Sequence, residues 1–282
     1  MMGAIYFTFY AGVAFYAVAA IVAAAYLRRQ EDRLLKAAYG IALAGAVLIL
    51  VTFALRITAW ERLPLTNVTD SLNLFVLLST IVMVIVAKQE RMGSLLSFYL
   101  PPVALIALLN ATVAHIYLRD EPRELQGLFL TVHVGLAFLA YALFFVASVT
   151  SVAYVFQANR LKHRQTLGLF QKLPSLEQLD RILFRLIKIG YPLFAITLIL
   201  GFIWAYVESE LLGPNWWMAP KIIMALLMAT FYSAAFHGRR LGRLRGPKLA
   251  YFVFIGFGVL LVAHLILGLS QLNNYNFWGM GE

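Results

Sequence analysis

The chain contains no cysteine. That excludes disulfides, thiol redox couples and the C-x-x-C-H motif through which haem is attached covalently, so any haem held here is held non-covalently. Charge is scarce too: 13% of the 282 residues are charged, and acidic residues number 13 against 23 Lys and Arg. The carboxylates near apolar runs, Asp70, Glu208 and Glu210, all fall at run ends, which argues against a proton-coupled transporter or an intramembrane protease. A Walker A loop, an H-E-x-x-H pair and a nucleophile–base–acid arrangement are all missing. Whether the chain is an enzyme is left open. Internal repeats and low-complexity linkers are absent as well, so nothing divides residues 1–282 into more than one domain.

What is present in excess is apolar sequence. Hydrophobic residues make up 62% of the chain and the mean hydropathy is +0.81, values that belong to an integral membrane protein. Eight runs, at about 5–27, 37–58, 69–87, 95–116, 129–157, 182–206, 220–236 and 250–272, are long enough to cross a hydrocarbon core as helices. The expectation is an all-α polytopic bundle of eight transmembrane helices in the inner (plasma) membrane. The segments 28–36, 88–94, 158–188 and 237–249, on alternate sides of the runs, hold 18 of the 23 basic residues. By the positive-inside rule these four segments are cytoplasmic and both termini extracytoplasmic. The net charge of +10 is therefore a topology signal, and nucleic acid is not an expected partner. The first run lacks a basic n-region and is followed by Arg28 and Arg29, so it reads as a retained helix.

Along the chain, RRQEDRLLK at 28–36 reads as a solvated charge cluster between the first two spans. After Pro64, Thr69 or Asp70 is expected to cap the third helix. Asn67, Asp70, Ser71 and Asn73 give that helix a polar entrance, either plain structure or a place to receive a headgroup or a cofactor propionate. Pro101 and Pro102 predict a break or kink in the fourth span unless a helix starts there. Ser175 and Gln178 form a capping-box pattern ahead of an amphipathic segment that feeds the sixth span.

The richest stretch runs from Trp204 to His237. A short loop carries Asn215, Trp216, Trp217 and Met218, then Pro220 and Lys221 open an apolar helix. His237 follows Lys221 by sixteen residues, or ~24 Å of helix, toward the opposite membrane face. Three other histidines, His115, His133 and His264, fall in the outer half of the predicted bundle, and His163 sits in a basic loop. An imidazole within a membrane is costly unless paired, metallated or facing a cavity. Non-covalent haem needs neutral imidazoles and cations for its propionates. Arg56, Arg62 and Lys221 are available for this outside, and Arg239 and Arg240 inside.

The stretches PLTNVTDSLNLF, LQGLFLTVHVGLAFLAYALF, LPSLEQLDRILFRLIKIGYPLFAITLILGFIWA and GPNWWMAPK followed by His237 resemble the cytochrome c assembly membrane-protein superfamily. That superfamily includes the CcsA (ResC), HemX and YpjD proteins, and the chain is similar in character to the divergent HemX and YpjD type. The resemblance implies a tryptophan-rich extracytoplasmic loop that presents haem, together with histidine ligands. Gly213, Trp216, Pro220 and Lys221 keep the loop pattern, His133 matches a periplasmic histidine, and His237 matches a histidine within the membrane. Leu212, Met218, Ala219 and Ile222 depart from the pattern, and Asn274 stands near the place of a second periplasmic histidine.

The resemblance thus implies haem b handling with an incomplete loop, using His133, His237, Trp216 and Lys221, with Trp217 beside them; His264 and His115 have no counterpart in the family pattern and are candidates by their position in the outer half. A second reading is a resident membrane cytochrome with one haem between His133 and His264, His115 being the other candidate partner. It would carry electrons between quinol and an extracytoplasmic partner such as cytochrome c or another membrane subunit. A haem-free scaffold or regulator is the third.

Overall fold

A computed structural model describes residues 1–60, 68–89, 93–112, 127–163, 172–207 and 216–273. Among these, every regular element is helical. The helices are α1 (Met2–Arg29), α2 (Asp32–Trp60), α3 (Val68–Gln89), α4 (Leu96–Thr112), α5 (Leu128–Lys162), α6 (Leu176–Val207), α7 (Pro220–Arg240) and α8 (Pro247–Asn273). Single 3₁₀ turns at Gly93–Leu95 and Trp216–Met218 lead into α4 and α7. Seven of the helices are long and apolar enough to span a bilayer. The eighth, α8, has 27 residues, ~40 Å at 1.5 Å per residue. The chain is a multi-pass membrane protein.

The predicted loop at 28–36 is far shorter than expected. The α1 helix continues to Arg29 and α2 starts at Asp32, so Arg33 and Lys36 are helical. Gln30 makes the turn with a left-handed backbone (φ 59°), and its N–H closes on the Tyr26 carbonyl at 2.8 Å. Lys172 braces the turn by donating to the Gln30 carbonyl and to Asp32, each at 2.6 Å. The proline pair also behaves differently from the expectation. Pro101 and Pro102 lie inside α4, which starts five residues before Pro101 off its 3₁₀ turn. They are its sixth and seventh residues, past the four N–H groups that a helix start leaves free, so α4 continues without two of its backbone hydrogen bonds.

The first four helices form one packed half. Gly12 of α1 and Gly45 of α2 face each other so closely that a Cβ on either would lie within 3.3 Å of the other's carbonyl oxygen. Hydrogen bonds tie the remaining contacts. Tyr16 of α1 bonds Thr80 of α3 at 2.7 Å, and the Tyr99 hydroxyl of α4 lies 2.9 Å from both Ser79 and Thr80. Thr52 donates to Thr8 at 2.9 Å.

The other four helices gather around α5. Phe145 of α5 meets Phe75 of α3, Tyr99 of α4 and Phe257 of α8, and so links the two halves. Phe144 stacks on Tyr232 of α7 with centroids 3.4 Å apart and touches Phe194 of α6. Gly190 lets α6 close on that ring, since a Cβ there would sit 2.8 Å from Phe144. Phe231 lies over Gly256 and stacks on Phe252, joining α7 to α8. The predicted amphipathic segment and sixth span form one helix, α6, capped by the reciprocal Ser175–Gln178 bonds at 3.0 and 3.3 Å.

At the basic end, Arg239 of α7 pairs with Asp180 of α6, whose other oxygen accepts the Gly246 N–H at 3.2 Å. One carboxylate thereby ties α6, α7 and the start of α8 together.

Candidate functional site

His133 sits on the second turn of α5, at the end of the bundle opposite that basic cluster. Its Nδ1 is 3.0 Å from the Thr197 carbonyl of α6. A carbonyl oxygen can only accept, so Nδ1 carries a proton, and in the neutral imidazole Nε2 keeps its lone pair. Nε2 has no hydrogen-bond partner among the described residues. The ring edge rests on Gly201, where a Cβ would lie 2.6 Å from Cε1 and 3.3 Å from both nitrogens.

Helix register places the other candidates relative to this imidazole. The α5 and α7 helices run the same way, with Phe144 stacked on Tyr232. His133 is eleven residues before Phe144 and Lys221 eleven before Tyr232, so the two occupy one level. Trp217, 56% exposed, stands on the turn just ahead of α7, and Trp216 shares that turn. The backbones of His133, the tryptophan turn and Lys221 thus lie near one end of the bundle.

The α8 helix runs antiparallel to α5, with Phe257 against Phe145 and Gly246 beside the Tyr154 hydroxyl. His264 is seven residues beyond Phe257, while His133 is twelve before Phe145. The two backbone positions differ in height by about five residues, ~8 Å. His115 lies outside the described residues, as do Arg62, Asn67, Gly213, Asn215 and Asn274.

His237 belongs elsewhere. It is five residues past Tyr232, so ~24 Å of helix separates its level from that of His133. It ends an exposed stripe on α7 formed by Ile223, Leu227, Thr230 and Ala234. Its ring meets Tyr191 and Phe236 edge-on, with centroids 5.9 and 5.1 Å apart. Among the described residues no three His, Asp or Glu side chains gather as a metal site.

The polar entrance of α3 is tied into the bundle by its own neighbours. Asp70 does not cap the helix, which starts at Val68; it is 1% exposed and ion-paired with Arg56 of α2, itself 2% exposed. Arg56 also lies 4.1 Å over the Trp60 ring. Asn110 of α4 donates to Asn73 at 3.0 Å and to the Thr69 carbonyl at 3.2 Å. Arg56 is therefore engaged inside the protein and is not a free cation for a propionate.

Comparison with known proteins adds an independent line. The sequence model of the family described as cytochrome c assembly protein matches residues 65–272. HemX of Bacillus subtilis is 28% identical over 214 residues, 75% of this chain and 76% of that protein. The cytochrome c biogenesis protein CcsA of Guillardia theta is 24% identical over 265 residues, 86% of this chain and 83% of that protein. A shorter match to CcsA of Thermosynechococcus vestitus reaches 34% over 110 residues, 38% of this chain and 34% of that protein. Because the family match runs from the approach to α3 almost to the end of α8, taking in His133 and the tryptophan turn, the chain belongs to the cytochrome c assembly protein family.

Proposed function

We propose that this protein handles haem b at the Trp217 end of the bundle as a membrane factor of cytochrome c assembly, with His133 as the axial ligand. The observation that carries the proposal is the state of His133, whose Nδ1 is tied to a backbone carbonyl while Nε2 is left as a neutral donor. Histidines that bind metals keep their other ring nitrogen hydrogen-bonded in this way, so the residue fits the group. Lys221 at the same level supplies a cation for a propionate, and Trp216 and Trp217 supply an aromatic surface. The basic segments define the cytoplasmic face, which puts this end and both termini on the extracytoplasmic side. When bound, haem supplies the iron porphyrin destined for a cytochrome c outside the membrane. The resident residues orient it and keep its edge accessible. The partners on this reading are haem and an extracytoplasmic cytochrome c or another membrane subunit.

A second reading rests on His264. Its backbone lies about one turn and a half from the level of His133 on an adjacent helix, which favours a resident bis-histidine cytochrome passing electrons from quinol. A visible difference spectrum, dithionite-reduced minus oxidised, separates the two for the wild type, His133→Ala and His264→Ala. Assembly-type handling predicts substoichiometric haem that depends on His133 and ignores His264. A resident cytochrome predicts one stable b-type haem lost in both variants. Absence of haem after haem-replete expression would overturn both readings and leave a scaffold.

A further inference from the structure

We infer that Gly201 and the Thr197 carbonyl of α6 are positioning groups that fix the tautomer and seat of the His133 imidazole, presenting Nε2 as the haem-binding atom. The inference rests on the reading of His133 as a haem ligand, and it concerns residues that neither the sequence motifs nor the family match singles out.

A glycine inside a helix costs about 1 kcal/mol relative to alanine. At Gly201 the reason for that cost is visible. The imidazole edge occupies the space a methyl group would take, 2.6 Å from Cε1, closer than real Cβ contacts come. Gly135, two residues from His133 on α5, meets nothing within 4 Å of an added Cβ, so the cleft belongs to α6 and to position 201. The same approach brings Nδ1 to the Thr197 carbonyl, which in an α-helix already faces the Gly201 N–H four residues on. A second acceptor site on that oxygen is free to take the imidazole proton.

The contact selects one of two neutral tautomers. Bound to a carbonyl, the ring must carry its proton on Nδ1. Were Nε2 protonated instead, it could not bind iron, and the ring would have to release a proton before doing so. The Thr197 side chain has no share in this. Its hydroxyl donates to the Leu193 carbonyl at 2.9 Å, so the backbone alone holds His133. Among the described residues no acidic side chain bonds the ring, and the carbonyl supplies a fixed dipole without adding charge.

The test uses the full-length protein, purified without haem and labelled with ¹⁵N-histidine. In the wild type, the signal that disappears in His133→Ala is expected to show a protonated Nδ1 and an unprotonated Nε2. Gly201→Ala should lose that signature and bind added haem at least about tenfold more weakly, the range in which outer-shell partners of metal-bound histidines act. Thr197→Val, which keeps the carbonyl, should match the wild type in both measurements. A proton on Nε2 in the wild type overturns the inference whether or not Gly201→Ala folds. Unchanged haem affinity in a folded Gly201→Ala also overturns it. A wild type with the expected tautomer that takes up no haem overturns the haem reading instead, so the two failures appear in different experiments.

Discussion

The two halves of the bundle are held together by different forces. In α1–α4 buried polar side chains bond from helix to helix, beside the Gly12–Gly45 approach: the Arg56–Asp70 pair, the Asn73–Asn110 bond and the Tyr16–Thr80–Tyr99–Ser79 group. In α5–α8 rings and glycine clefts predominate, with Phe144 against Tyr232, Phe231 over Gly256 and His133 against Gly201, and the ion pair of Arg239 with Asp180 stands at the basic end. All five histidines fall at or after residue 115, beyond the last residue of α4. Buried polar groups that satisfy one another fix a unique arrangement of helices but have little left to offer a ligand. Flat rings and glycines leave faces that a flat ligand can use. On the proposed reading, the first half does structural work and the second holds the ligand.

The sharpest way to break this contrast is to open the ion pair. Arg56→Ala leaves Asp70 buried without its partner and should destabilise the protein by ~3–5 kcal/mol, read as a large fall in the thermal midpoint in detergent. His133→Ala should move that midpoint little while abolishing haem binding. If Arg56→Ala instead left stability intact and removed haem, the division of labour between the halves would be wrong.

Smaller effects test each half from within. Gly190→Ala drives a methyl into the Phe144 ring and should cost ~1–3 kcal/mol, measured by the same melt. Tyr99→Phe removes a hydroxyl shared by Ser79 and Thr80, a loss of ~1 kcal/mol that should leave the haem spectrum unchanged. The smallest effect belongs to His237→Ala. That residue faces outward, so stability should change by less than ~0.5 kcal/mol, and the spectrum of haem at the His133 end should be untouched. A spectrum altered by His237→Ala would bring the two ends of α7 into one functional unit.

Much of this architecture could be read from the sequence because hydrophobic length and basic bias are properties of single segments. The membrane class, the helix count, the capping box at Ser175 and the pairing of Lys221 with His237 on one helix all needed only local pattern. The ion pair could not be read that way. Asp70 at a helix start looks like a cap, and only the packing of α2 on α3 turns it inward against Arg56. Gly201 was equally silent, since one glycine in an apolar helix carries no mark of the imidazole that needs its space. The double proline signalled a break that does not occur: α4 runs on through both residues, held by the packing of its neighbours.

The ion pair also bears on how the chain enters the bilayer. Arg56 and Asp70 are fourteen residues apart, on consecutive helices with a short connection. A helix that must carry Arg56 through hydrocarbon is a poor candidate for insertion by itself, since a charge there costs several kcal/mol. If α2 and α3 partition together as a hairpin, the charges cross as a neutral couple. Biogenesis would then proceed by a two-helix step early in synthesis, before any histidine-bearing helix has left the ribosome.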